Sequence, residues 1–135
     1  MATIEDVYDF LRNESPTYFL ATADGSQPRV RPFGTVDLFE GHLYIQTGKS
    51  KDVYKQILAN PKVELCAWKG PKWLRVSGEL VPDDRVAAKR HMLDAYPSLR
   101  DMYDENDENT IVLYFKDACA TFSTFGPEPN EVARF

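Results

Sequence analysis

Apolar positions along the chain change period several times, and each change marks an element. Ile4, Val7, Tyr8 and Leu11 recur at helical spacing, with Thr3 placed to cap the helix and Asp6 three residues on to complete a capping box. Pro16 closes that segment, and Tyr18-Phe19-Leu20-Ala21-Thr22 reads as a strand. Asp24-Gly25 is a turn signal, followed by a second strand from Pro28 to Phe39; Glu40-Gly41 turns into a third, His42 to Thr47. Val53, Tyr54, Ile57 and Leu58 restore helical spacing until Asn60-Pro61 ends it.

Two more strands follow. Val63 to Lys69 alternates through Val63, Leu65 and Ala67, and Gly70-Pro71 turns into Trp73 to Val81. Asp83-Asp84 opens a helix carrying Val86, Leu93 and Tyr96 and ended by Pro97, with a short helical piece at Ser98 to Tyr103. The run Asp104 to Asn109, DENDEN, reads as a solvated acidic loop, with metal binding as the minor alternative. Thr110 to Phe115 and Ala118 to Phe125 are expected to pair as a last hairpin. Helices separated by short hairpins describe one domain, 1–135, mainly β in architecture and α+β by content. Its antiparallel sheet should curl into a small barrel flanked by helices.

Composition narrows the function. A formal net charge of −5 over 135 residues argues against a nucleic-acid binder. No apolar run is long enough to cross a bilayer, and the acidic, amphipathic N-terminal stretch is unlike a signal peptide. Cys66 and Cys119 lie in apolar runs, so packing in a reducing compartment is expected rather than a disulfide; the expected location is cytoplasmic. His42 follows a turn and His91 lies among charged residues; both are expected to be solvated, and no metal site is expected.

The stretch YIQTGKSKDVYKQI, from Tyr44 to Ile57, runs a strand into a helix through a Gly-Lys-Ser corner. A nucleotide-binding P-loop needs a glycine five positions before the Gly of that triplet, and Leu43 stands there. The triphosphate reading therefore fails. A single phosphate remains compatible with the corner: Ser50 is a candidate N-cap, the helix start offers amides and the positive end of a dipole, and Lys49 and Lys51 flank it. On the preceding strand, strand alternation puts Arg29 and Arg31 of PRVRPF on one face. Four cations close together on an acidic chain fit a small anionic ligand; a wet sheet face and solvated lysines are the alternative.

With PRVRPF, LYIQTGKSKDVYKQILANPKVEL and KWLRVSGEL in this order, the chain resembles the pyridoxamine 5′-phosphate oxidase-like flavoproteins, the FMN-binding split-barrel family. The likeness runs from the first helix to the last hairpin and is nearest to the short nitroimidazole-resistance-like and general-stress-like members. It implies FMN as cofactor. Arg29, Val30, Arg31 and Pro32 would line the isoalloxazine and reach the phosphate. Gln46 and Thr47 would lie by the ring edge or ribityl chain, and Lys49, Ser50 and Lys51 would hold the phosphate. It also implies a homodimer with FMN at the subunit interface, where Trp68 or Trp73 would approach the flavin of the other subunit. The tail PEPNEVARF lacks the arginine-and-histidine substrate segment of the true oxidase, so oxidation of pyridoxamine phosphate is not expected. The expected activity is an FMN-dependent oxidoreductase acting on a nitroaromatic or quinone-like compound with a nicotinamide donor. The alternative is a non-catalytic flavin- or haem-binding module that serves as sensor or store.

Overall fold

The computed structural model describes all 135 residues. Helix α1 (Ile4–Asp9) begins with the expected capping box: the Asp6 amide donates to Thr3 Oγ1 at 3.2 Å and the Thr3 amide donates to Asp6 Oδ2 at 2.9 Å. A π-helical turn continues it over Phe10–Glu14. Strands β1 (Tyr18–Asp24), β2 (Gln27–Phe33), β3 (Asp37–Phe39) and β4 (His42–Gly48) come next, then helix α2 (Asp52–Ala59), β5 (Lys62–Lys69) and β6 (Lys72–Asp83). Helix α3 (Val86–Ala95) and a 3-10 turn (Pro97–Asp101) precede β7 (Thr110–Thr124) and β8 (Glu131–Arg134). No helix is long and apolar enough to cross a membrane.

All pairings are antiparallel, in the order β2-β1-β5-β6-β7-β4-β3, with β8 added beside β7. The inner face holds Leu20, Leu43, Ile45, Leu65, Leu74, Val76, Leu113 and Phe115, all essentially inaccessible to water. Helix α1 and its π-turn add Val7, Phe10 and Leu11 to this core, and α2 adds Val53 and Ile57. Strand β4 is covered on both faces, because Tyr44 on its outer side packs with Ala88 and Met92 of α3.

Two expected elements differ from the structure. The stretch Pro28 to Phe39 is not one strand: it breaks at Gly34-Thr35-Val36, leaving β2 at one edge of the sheet and β3 at the other. Side chains hold this strap. Tyr18 Oη donates to Thr35 O at 2.7 Å, the Gln46 amide donates to Thr35 Oγ1 at 3.0 Å, and the Val36 amide donates to Tyr96 Oη at 3.0 Å. Buried backbone groups that leave a ladder must find such partners.

The expected last hairpin is instead one strand of 15 residues, β7, kinked by a bulge. Ser77 pairs with Cys119 but Glu79 pairs with Lys116, so Asp117 and Ala118 together oppose Gly78. Asp117 takes a left-handed φ of 52° there. The residues after the bulge do not turn back along β7; β8 does so from the tail, with Phe135 and Ala118 exchanging two backbone bonds.

The cysteines also differ. Both are free, Cys66 exposed and Cys119 half-buried, on the outward face of the sheet rather than in the core. His42 is exposed, as expected. His91 is not simply solvated: its Nδ1 lies 2.5 Å from Oδ2 of the buried Asp37 and ties α3 to β3.

A Cβ at Gly78 would lie 3.1 Å from both the Ala118 Cα and the Lys116 carbonyl oxygen. Backbone cannot step aside as a side-chain tip can, so Gly78→Ala is expected to destabilise the fold by about 1–3 kcal/mol. Urea unfolding measures it; an unchanged midpoint would remove the close approach as a constraint on the bulge.

Candidate functional site

Strand β2 pairs on one side only, with β1. Its alternation places Arg29, Arg31 and Phe33 opposite Thr22, Leu20 and Tyr18, on the inner side, and turns Val30 and Pro32 outward. Between β2 and the start of α2 lies a cavity of about 530 Å³ lined by Arg29, Val30, Arg31, Lys51, Val53 and Gln56, with Asp24 and Asp52 on its rim. A second, of about 220 Å³, continues from it past Arg31 and Lys51, between Pro32-Phe33-Gly34-Thr35 and Gln46-Thr47. Leu99, Met102 and Tyr103, from the 3-10 turn and the residues after it, form its far wall. The groove therefore runs along the gap where the barrel is split.

Arg31 is held by neutral acceptors alone. Its Nη1 donates to Thr22 Oγ1 at 2.8 Å and to Leu20 O at 3.2 Å, and its Nη2 donates to Gln56 Oε1 at 2.6 Å. Burial, reinforced by the charge of Arg29, pulls its guanidinium below the ordinary value; it stays charged at neutral pH. Arg29 is more exposed and pairs with Asp24 at 3.2 Å. Lys51 enters no ion pair and is exposed to the groove. Counting Asp24 and Asp52, the larger cavity carries one net positive charge in a protein of net −5.

The structure thus brings Arg29, Val30, Arg31, Pro32, Gln46, Thr47 and Lys51 around one groove. It does not bring Lys49 and Ser50 there. Lys49 Nζ reaches to Asp84 at 2.8 Å, and the same carboxyl group receives Lys89, which is buried. Ser50 is not the N-cap of α2; Lys51 occupies that position, with no side-chain cap. The three amides before the helix are already used: Lys49 donates to Asn109 O at 2.7 Å, Ser50 to Asn109 Oδ1 at 2.9 Å and Lys51 to Gly48 O at 3.1 Å. An anion at this corner is left with the Lys51 side chain, the arginines of β2 and the leading amides of α2 itself.

Asn109 belongs to the expected acidic loop, which is not simply solvated. Asp107 accepts from the amides of Asp104, Asn109 and Thr110 and from the Thr110 hydroxyl, at 2.6–3.0 Å. Desolvation opposes its charge, but these bonds outweigh it and hold the carboxyl down at about 2. No group of side chains in the structure is arranged to hold a metal ion. Sequence reading missed Gln56, Thr22, Thr35, Leu99, Met102, Tyr103 and Asn109. Thr22 was the most accessible of these, as a polar residue at an inward position of β1.

The donor set suits a phosphate ester bearing a flat ring: an arginine fork and a lysine by a helix start, then a slot with an amide and hydroxyls on one side and apolar side chains on the other. Comparison with known proteins identifies the family. Residues 4–114 match the family model described as pyridoxamine 5′-phosphate oxidase. The chain belongs to the pyridoxamine 5′-phosphate oxidase-like split-barrel family. Among solved members, a NimC/NimA family protein from Clostridium acetobutylicum is 41% identical, with a TM-score of 0.92 over 97% of this chain and 91% of that one. General stress protein 26 from Bacillus anthracis shares the fold at 17% identity and a TM-score of 0.73, over 98% of each chain. So does a pyridoxamine 5′-phosphate oxidase-related, FMN-binding protein from Nostoc punctiforme, at 18% identity and 0.67, over 91% of this chain and 79% of that one. A comparison with curated proteins finds no match.

In this family member Asp107 has a direct consequence for acid stability. Its folded value of about 2 lies below the roughly 3.9 of an unfolded aspartate. The stability it adds is present above pH ~4 and is lost as pH falls toward ~2. The advantage of wild type over Asp107→Asn in thermal melts is therefore expected to be full at pH 6 and to shrink across that window. A gap that stays constant from pH 6 to pH 2 would contradict it.

Proposed function

We propose that the protein is an FMN-binding, homodimeric flavoprotein. We further propose that it is an oxidoreductase that takes electrons from a nicotinamide donor and passes them to a nitroaromatic or quinone-like acceptor. The observation that carries this reading is the pair Arg31 and Lys51, two cations without carboxylate partners, facing one groove at the split of the barrel. Membership of the family and the FMN-binding relative support the cofactor.

In this reading Lys51 and Arg31 bind the phosphate, Arg31 being oriented by Thr22 and Gln56. Gln46, Thr47 and Thr35 meet the polar edge of the ring, and Leu99, Met102 and Phe33 keep water from its other side. Bound FMN supplies the hydride and electron transfer. No protein acid or base is required of the groove; apart from the two arginines its titratable lining is Lys51, Tyr103, Asp52 and Asp24, the last paired with Arg29.

A second copy would complete the site. Edge strand β2 has no partner on its outer side, and the outward face beside it exposes Val30 at 67%, Phe19 at 51% and Trp68 at 67%. Such a patch favours burial against another chain. Of the two tryptophans, Trp68 is the more exposed; Trp73 leans on Phe125 with ring centroids 4.8 Å apart. The two free thiols suit a reducing, cytoplasmic setting. A haem-holding module is disfavoured because neither His42 nor His91 lines the groove; a flavin-holding module without turnover differs only in failing to be reduced by NADH or NADPH.

The purified protein should be yellow, or become so on adding FMN, and should sediment as a dimer; a colourless monomer that takes up no flavin would sink the reading. Lys51→Glu should raise the FMN dissociation constant by about 100-fold, losing a charge-assisted bond and gaining repulsion. Lys49→Ala should change it less than about threefold, its charge being engaged elsewhere and screened. Fluorescence titration of both variants decides which lysine meets the phosphate.

A further inference from the structure

We propose that Asn109, on the acidic loop and outside the groove, is a positioning residue that sets the phosphate-holding corner. The proposal rests on the FMN reading given above. Asn109 lines neither cavity. Instead it holds the two residues immediately before Lys51: its carbonyl accepts the Lys49 amide at 2.7 Å and its side-chain Oδ1 accepts the Ser50 amide at 2.9 Å. The next amide, that of Lys51, closes back on Gly48 O. The amides of Lys49, Ser50 and Lys51 are therefore all bonded before α2 begins, which restrains the direction in which Lys51 leaves the corner.

Gly48 gives a second, independent sign of the same contact. A Cβ at that position would lie 2.9 Å from Asn109 Nδ2 and 3.3 Å from Oδ1, so any side chain at the end of β4 would push the Asn109 amide out of its present position. Asn109 is in turn fixed from behind, its amide donating to Asp107 Oδ1 at 3.0 Å. The acidic loop thus acts through backbone geometry. None of its carboxylates lines either cavity, and the neutral asparagine at its end presents the oxygen that the corner needs. A carboxylate in its place would add a negative charge beside a site that binds phosphate.

If the bracket places Lys51 against a phosphate, its removal should be felt by ligands that carry one and not by those that lack it. Full-length protein freed of co-purified flavin is titrated with FMN and with riboflavin. Amide exchange of Lys49 and Ser50 is followed in the same samples. For Asn109→Ala the FMN dissociation constant is expected to rise about tenfold while that for riboflavin stays within about twofold, as for loss of one hydrogen bond that acts only on phosphate. The Ser50 amide should exchange faster. Gly48→Ala, which displaces the asparagine side chain instead of deleting it, should act in the same direction, and the double variant should be little worse than either alone. Equal losses for FMN and riboflavin would reduce Asn109 to general support of the fold and overturn the proposal. So would unchanged FMN affinity with a faster Ser50 amide. Failure of the wild-type protein to bind either flavin would overturn the FMN reading itself, and this one with it.

Discussion

One sheet supplies almost every wall of this molecule, and three residues must carry the chain from one of its edges to the other. Gly34, Thr35 and Val36 leave β2 at the first edge and enter β3 at the last. Buried backbone there has no ladder to join, and unpaired buried amides and carbonyls are costly. Tyr18 from β1, Tyr96 from the end of α3 and the Gln46 backbone on β4 supply the missing partners. Because the strap is pinned, β2 lies beside the end of β4 and the start of α2 without pairing to them, and the space between them is the groove. The bulge at Gly78 and Asp117 serves the same end, bending β6 and β7 so that the sheet curls toward closure.

A groove in a net-negative protein gains selectivity from being locally positive. Arg31 is the central case. Its partners, Thr22, Leu20 and Gln56, are neutral, so they aim the guanidinium without cancelling its charge. Lys49, at the corner between β4 and α2, shows the contrary arrangement. Asp84 holds it and the buried Lys89 together, which ties the corner before α2 to the start of α3 and withdraws Lys49 from ligand duty. Two lysines of one short motif, separated by Ser50, are thus divided between architecture and binding.

The acidic loop shows a similar division. Its charges are largely directed at its own backbone or at Arg90 and Arg100, as with Asp107 and Glu105. What it presents to the rest of the molecule is the carbonyl and amide oxygen of Asn109. A segment that composition marks as solvent-seeking is therefore part of the support of the corner that carries Lys51.

Much of this was legible in the sequence. Periodicity located α1 with its capping box, the hairpins of β1 with β2 and β5 with β6, the corner from β4 into α2, and the pair Arg29 and Arg31 on one face. Some features were legible but misread. Val63, Leu65 and Ala67 already send Cys66 outward, and the inward set changes parity from Ile111, Leu113 and Phe115 to Ala118, Ala120 and Phe122, which signals a bulge rather than a turn. Other features only the tertiary structure decided. The partner of Lys49 lies 35 residues away and that of the Ser50 amide 59 away; Leu99, Met102 and Tyr103 reach the groove from a separate turn. Local pattern determines which face of its own strand or helix a side chain occupies, because that depends on backbone repeat alone. Which charge is neutralised, which amide is spent and which remains for a ligand depends on the neighbours that folding brings to that face.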